Sequence, residues 1–318
     1  MSFEIVYQFR RLLENLQQEH NGYQLRCIPS PYDPRDYKYL DLISTAADES
    51  VPIDYRSKLP PVFDQGQRGS CVACASTWTL KAYEEIKQGD YPQDGLSASF
   101  LYTMCKQNDG IPFAEGTQLK TAMQVLQKNG VCPEDTMPYS TLTELPAPLV
   151  PEVPAAASEA AVTFRIKTYA QLCSSYDTER SQVIETMRQA LKNEGPFIIA
   201  LLVCENFEPD ENYLLPLPEG QVRGGHAVGI AGDLPEKKCL ILRNSWGAGW
   251  GDKGYAYLPY EWITSKINKD WALFEAWTAT DFTPSQPAAR IEINPGVNFM
   301  KVDGKRVSLE KPISFNKV

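Results

Sequence analysis

A chain of 318 residues with 43% hydrophobic side chains can bury a substantial core, as one large domain or two modest ones, so disorder is not its default. Its 40 acidic and 31 basic side chains give a net charge of −9, a balance that repels phosphate backbones and anionic lipid surfaces, and no nucleic-acid partner is expected. The longest uninterrupted apolar run, residues 197–203, is far short of the ~20 residues of a membrane-spanning helix, so no membrane partner is expected either.

Residues 3–20 carry Ile5, Phe9, Leu12, Leu13 and Leu16 at helical spacing, with Gly22 as a stop signal, and read as an amphipathic helix. Polar residues interrupt this stretch, so it lacks the continuous core of a secretory signal; the expectation is a cytoplasmic protein, or one whose leader has been removed. Prolines 29, 31 and 34 then forbid helix and favour an extended path over a surface. From Ser70 as N-cap to Gly89, apolar residues at Val72, Ala75, Trp78, Ala82 and Ile86 predict the best helix of the sequence, with Cys71 in its first turn. A second helix is predicted over 118–128, closed by Asn129-Gly130. Between 142 and 161 the composition shifts to Pro and Ala and reads as an irregular surface crossing.

Beyond it one helix near 179–193 leads into FIIALLV, and VRGGHAVGIA, KCLILRN and GYAYL read as successive strands. The class is therefore α+β. Three segments are expected: 1–48, a helix and an extended arm; 49–282, the main domain, helical over about 60–145 and β-rich over about 160–280; and 283–318, a tail. In the tail, Asp303-Gly304 between FMKV and KRVSL signals a two-residue hairpin.

The eight cysteines lie mostly in apolar segments, as buried thiols do, and their spacings with two histidines, His20 and His226, match no usual zinc pattern; no metal or cofactor is expected. A thiol is a good nucleophile only as thiolate, and a helix N-terminus supplies the positive potential that favours it; Cys71 in DQGQRGSCVAC has that placement, although a first-turn cysteine can equally be a buried spacer. His226 in GGHAVGIA is the candidate base, its glycines leaving space beside the ring where a lone imidazole would otherwise read as a core residue. Asn244, in NSWGAGWG at the end of a strand, is either a turn residue or the group that orients His226.

The order Gln-x5-Cys, then His in an apolar strand, then Asn-Ser-Trp-Gly with a following Gly-Trp-Gly, resembles the papain-like cysteine peptidases over roughly residues 52–276. The resemblance implies a papain-like α+β fold, a helical half and an antiparallel β-barrel-like half with the active-site cleft between them. It places Gln65, Cys71, His226 and Asn244 on the catalytic positions and Trp246 on the aromatic that shields the Asn–His hydrogen bond. It also makes EGTQL a cleft wall, with Gly116 offering backbone hydrogen bonds to substrate and Thr117 and Gln118 near the main selectivity pocket, opposite Ala227. The implied activity is endopeptidase cleavage of protein or peptide substrates through a Cys71 thioester, with an imidazolium partner holding the thiol pKa well below the ordinary ~8.5. Val72 replaces the family's Trp and Arg68 its half-cystine, so the disulfide beside the site is absent, as in a bacterial-type branch. Family members commonly inhibit themselves with N-terminal segments, and residues 1 to about 45 are expected to lie in or across the cleft of such a zymogen. The tail hairpin resembles part of a repeat domain found beside copper amine oxidases; a hairpin docked on the main domain explains it equally well.

Two other functions compete: a thiol–disulfide oxidoreductase using the Cys71/Cys74 C-x-x-C, and a catalytically silent peptide-binding module. Cys74→Ser separates the first from the peptidase: peptide hydrolysis should survive and dithiol redox activity should not. Loss of hydrolysis with Cys71 still alkylated by iodoacetamide would contradict the peptidase reading.

Overall fold

The computed structural model describes residues 19–41 and 51–280, and beyond them the strands within 291–308. Two short strands, β1 (Glu19–His20) and β2 (Tyr23–Gln24), form a hairpin, and β3 (Ile53–Asp54) follows. The main sheet is built from β4 (Thr168–Cys173), β5 (Phe197–Cys204), β6 (Val222–Leu234), β7 (Cys239–Arg243), β8 (Tyr255–Pro259) and, after the small pair β9 (Lys266–Ile267) and β10 (Asp270–Trp271), β11 (Leu273–Thr280). Its order is β4-β11-β5-β6-β7-β8, with β3 added beside β6, and all its pairings are antiparallel.

Both faces of this sheet are buried, which is why β5 reads as a continuous apolar run rather than an alternating one. Ile198, Ala200, Leu202 and Cys204 face a core shared with Cys71, Val72, Phe100, Leu119 and Met123. Phe197, Ile199, Leu201 and Val203 face the opposite core, with Met187, Trp246, Trp250 and Trp262. The helices Ala98–Asn108 and Leu119–Lys128 lie on the first side, and Val183–Asn193 on the second.

The helix that starts at Cys71 is not uniform: Cys71–Ala75 is α-helical, Ser76–Lys81 a π segment, and Ala82–Gln88 α-helical again, ended by Gly89 in the left-handed conformation. Lys81, fully buried beyond the widened turn, is neutralised by Glu85 at 2.5 Å and Glu84 at 3.5 Å. Ser70 stands at the N-cap position but its side chain does not cap; its hydroxyl is taken by Tyr139 Oη, with Cys74 Sγ at 3.6 Å.

Several expectations are corrected. The predicted helix over 3–20 does not reach its end, because Glu19–His20 pair with Tyr23–Gln24 around the Asn21-Gly22 turn; residues 3–18 lie outside the described residues. The expected irregular crossing contains the helices Ser140–Thr143 and Ala155–Ala161, the alanine run being a good helix former once Ala157 and Ala161 are buried. The expected α+β class with an antiparallel β-rich half holds, its sheet being open, since among the described residues β4 and β8 do not pair. No described helix is long and apolar enough to cross a membrane. Residues 282–318 form a unit of their own, in which β12 (Ile291–Ile293), β13 (Phe299–Val302) and β14 (Lys305–Ser308) make an antiparallel sheet with Val302 opposite Lys305.

The nucleophile helix meets the histidine strand at Gly229, where a Cβ would lie 2.4 Å from Thr79 Cγ2. Gly229→Ala must therefore push β6 off the helix, and a loss of about 1–3 kcal/mol is expected in urea unfolding. An unchanged midpoint would show that the two elements are not in close contact there.

Candidate active site

Segments far apart in sequence meet where the loop before Cys71 crosses the end of β7. Asp64 bridges Trp246, the Gln65 N–H donates to Ser245 O at 2.8 Å, and the Gly247 N–H donates to Phe63 O at 3.2 Å. Within this seam the Ser245 hydroxyl donates to Gln65 Oε1 at 2.6 Å, which fixes the side-chain amide with its NH2 group outward. That NH2 group donates to Arg68 O at 3.0 Å. Ser245 carries this role without having been singled out in the sequence; its place between Asn244 and Trp246 was the available signal.

β6 and β7 pair with Gly229 opposite Arg243, and continuing that register sets His226 opposite Trp246. The two rings stack at 4.8 Å between centroids. Asn244 Oδ1 lies 2.8 Å from His226 Nε2 and also accepts from the Ser245 N–H at 2.8 Å. Because an amide oxygen only accepts, Nε2 must carry the proton, which leaves the lone pair of the neutral ring on Nδ1. Nδ1 is buried and has no hydrogen-bond partner among the described residues. Ala227, next in sequence, gives a backbone hydrogen bond to the Cys71 thiol. The residues assigned by resemblance, Gln65, Cys71, His226, Asn244 and Trp246, thus come together.

Residues 24–28 run through the same place. Arg26 bridges Gly225 and Cys27 bridges Thr117; the Cys27 N–H donates to Gly225 O at 2.8 Å and the Ile28 N–H to Thr117 O at 3.1 Å. A Cβ on Gly225 would sit 2.0 Å from Cys27 O, and one on Gly116 2.0 Å from Arg26 O, so only glycine lets the strap come this close. Gln24 O lies 3.4 Å from Gln65 Nε2, and Tyr23 stacks on Trp246 at 4.8 Å. Further along, Ser30 N–H donates to Glu275 Oε2 at 3.0 Å, and Asp33 and Asp36 hold Lys120 at 3.2 and 2.6 Å.

The wall residues have these partners in the structure. Gly116 donates its N–H to Tyr102 Oη and its carbonyl accepts from Lys106 Nζ, both at 2.9 Å, while the Thr117 carbonyl accepts from the Ile28 N–H. The Gln118 side chain accepts from Thr121 Oγ1 at 3.2 Å at the start of its own helix. Ala227 is fully buried in the core that also holds Cys27 and Cys71.

In the covered site burial works against the thiolate–imidazolium pair that the resemblance implies. Burial pushes the Cys71 thiol above its ordinary value, against hydrogen bonds from backbone groups of Ala227, Arg26, Val72 and Cys71 itself. Burial likewise pulls His226 down to about 4, opposed by its bond to Asn244 and aided by His20. Burial beneath the strap backbone therefore disfavours the charged form of both groups. Cys74 is still less suited to redox exchange: burial pushes its thiol to about 12.

The lowered imidazole value has a sign that can be tested. In a Cys71→Ala chain, where no thiolate can partner the imidazole, an uncovered, hydrated His226 should titrate near its ordinary ~6.5, so between that pH and about 4 the uncovered form binds the proton and the covered form does not. In that chain covering is fully favoured above pH ~6.5 and loses up to about tenfold per pH unit below it. Amide exchange at Cys27 and Ile28 of the Cys71→Ala chain, corrected for its intrinsic pH dependence, should lose about 10²-fold protection between pH ~7 and ~4.5. Constant protection across that range would contradict the arrangement.

The sequence pattern of the papain family cysteine proteases matches residues 50–272. An uncharacterised peptidase C1-like protein of Acanthamoeba polyphaga mimivirus is 31% identical over 209 residues, 64% of this chain and 65% of its own length. Cathepsin B-like CP2 of Giardia intestinalis is 28% identical over 205 residues, again 64% of this chain and 65% of the relative. The chain thus spans somewhat under two thirds of these relatives' lengths. Cathepsin K of Mus musculus is 29% identical over 260 residues, 77% of this chain and 69% of its own. Among solved structures, xylellain, a cysteine protease from Xylella fastidiosa, superposes with a TM-score of 0.66 at 25% identity, covering 83% of this chain and 97% of that one.

Proposed function

Because the chain belongs to the papain family of cysteine proteases, we infer that it hydrolyses peptide bonds of protein or peptide substrates through a thioester on Cys71, and that its N-terminal strap blocks the cleft until displaced. The observation that carries this reading is the oriented imidazole: Asn244 holds Nε2–H at 2.8 Å, and the lone pair on Nδ1 is left for the thiol proton.

Once the strap leaves, water and substrate reach the cleft and the burial that disfavours charge on both groups is relieved. The Cys71 proton passes to His226 Nδ1, and the thiolate, at the start of its helix, is favoured by the unpaired N–H groups there. The sulfur adds to the scissile carbonyl, and the oxygen takes up its negative charge beside the Cys71 N–H and the Gln65 NH2 group, the donor now facing Gln24 O. His226 then protonates the departing amine, and the thioester forms. In the second half the same imidazole removes a proton from water, which attacks the thioester carbonyl; the acid leaves and the Cys71 thiol is regenerated. Asn244 supplies orientation without charge, while the Trp246 ring shields its bond to the imidazole.

The strap reads as a self-inhibitor because it occupies three groups a substrate chain could use: the Gln65 donor, the Thr117 carbonyl and the Gly225 carbonyl. Tethering sets its effective concentration in the millimolar range, so weak contacts suffice. Cys71→Ala should abolish hydrolysis of a peptide reporter while leaving thermal unfolding near that of the parent chain; comparable turnover would remove the reading. Deleting residues 1–48 should raise both reporter hydrolysis and iodoacetamide labelling of Cys71. A folded deletion variant with unchanged rates would mean that the cleft is open in the intact chain.

A further inference from the structure

We propose that Arg68 is a positioning residue for the reaction, a guanidinium clamp that holds the loop carrying Gln65 and Cys71 to the cleft wall and to the 142–149 crossing; this rests on the peptidase reading. Arg68 is 4% exposed, a poor place for a cation unless its charge is balanced and its donors are largely matched. Three donors meet backbone carbonyls, while the buried Nε has no hydrogen-bond partner among the described residues and faces Glu115 by charge alone. Nη1 donates to Leu142 O and Leu145 O, both at 2.8 Å, and Nη2 to Leu149 O at 2.9 Å. The charge is balanced by Glu115, whose Oε1 lies 3.0 Å from Nε in an ion pair with side-chain exposures of 5% and 10%.

The placement of these partners gives the clamp its consequence. Leu142, Leu145 and Leu149 lie on the Pro-rich crossing that the sequence left without a role, and the guanidinium gathers its carbonyls into one fork-shaped contact. Glu115 immediately precedes Gly116 and Thr117, so the ion pair sets the height of the wall whose Thr117 carbonyl receives a chain in the cleft. On the main chain, the Arg68 carbonyl accepts from Gln65 Nε2 at 3.0 Å. The residue therefore fixes the oxyanion-side amide from both ends: Ser245 holds the amide oxygen, and Arg68, itself anchored by its side chain, holds the nitrogen. Arg68 stands where the resemblance expected a half-cystine. There it joins the loop to the crossing and to Glu115 through hydrogen bonds and charge, which are insensitive to reducing conditions.

An arginine is needed because three carbonyls and a carboxylate must be met by one planar group. A lysine at the same position keeps the charge for Glu115 but brings one nitrogen in place of the fork. Loss of the clamp should let the loop drift, and a displacement of the oxyanion donor of about 1 Å costs on the order of 10²-fold in rate.

The test uses the full-length chain with kcat and KM measured separately, in wild type, Arg68→Met, Arg68→Lys, Gln65→Ala and the Arg68→Met/Gln65→Ala pair. Arg68→Met should lower kcat by about 10²-fold with KM changed by less than about threefold, because the positioned donor acts chiefly in the transition state. Arg68→Lys should remain at least about tenfold below wild type. Gln65→Ala alone should also cost about 10²-fold, and the double variant should fall well short of the about 10⁴-fold product, since Arg68 acts through Gln65. Independent, multiplying losses would overturn the proposal, as would an Arg68→Lys variant equal to wild type. Should Arg68→Met fail to fold, Arg68→Lys and its double variant with Gln65→Ala carry the same comparison. Wild-type chain that hydrolyses nothing and whose Cys71 resists iodoacetamide, both intact and after deletion of residues 1–48, would sink the peptidase reading and this inference together; an active wild type with kinetically unchanged Arg68 variants would sink this inference alone.

Discussion

The site depends on the short seam where residues 63–65 cross residues 245–247. Neither the nucleophile helix nor the histidine strand can orient the other's chemistry; the seam brings them into one frame with two backbone hydrogen bonds and the Ser245–Gln65 contact at 2.6 Å. Gln65 is fully buried, so leaving its amide oxygen without the Ser245 hydroxyl would cost about 1–3 kcal/mol in addition to misaiming its NH2 group. The same turn of chain delivers Asn244 to His226 and lays Trp246 over both, so that orientation of the base and placement of the oxyanion donor are set by adjacent residues.

Assembly and activation are separable in this molecule. The imidazole is oriented, the amide is pinned and the thiol sits at a helix start, yet burial holds the thiol up and the imidazole down, against charge on either. The strap meets the site largely through backbone: the Cys27 and Ile28 N–H groups donate to Gly225 and Thr117, and the Gln24 carbonyl lies at Gln65. Its anchorage lies further on, in Glu275 and in the Lys120 pairs with Asp33 and Asp36. The contacts at the candidate site and the contacts that hold the strap are therefore different residues, which allows one to be changed without the other.

The sequence made the central parts legible because their residue types have few uses. A cysteine at a helix start, one of only two histidines in a glycine-flanked strand, and Asn-Ser-Trp-Gly after another strand each admitted a bland reading, but their order together carried the resemblance to one family. β5 to β8 were readable from their apolar runs and glycine turns. Other features were hidden because they come from tertiary pairing. The β1–β2 hairpin reads as the end of a helix until Tyr23 finds Trp246. Nothing local announces the π segment over Ser76–Lys81, or that Gly116 spends its polar groups on Tyr102 and Lys106. The depressed thiol pKa expected from a helix start assumed an open cleft; covering reverses its direction.

The most direct measurement is the mass of the acyl-enzyme. Full-length chain and chain lacking residues 1–48 would be mixed with a peptide ester, quenched in acid during turnover, digested and mapped. The account predicts an acyl adduct on the Cys71 peptide, removable by hydroxylamine and accumulating faster without the strap. Turnover of the ester with no adduct at Cys71, or with the acyl group on another residue, would contradict it.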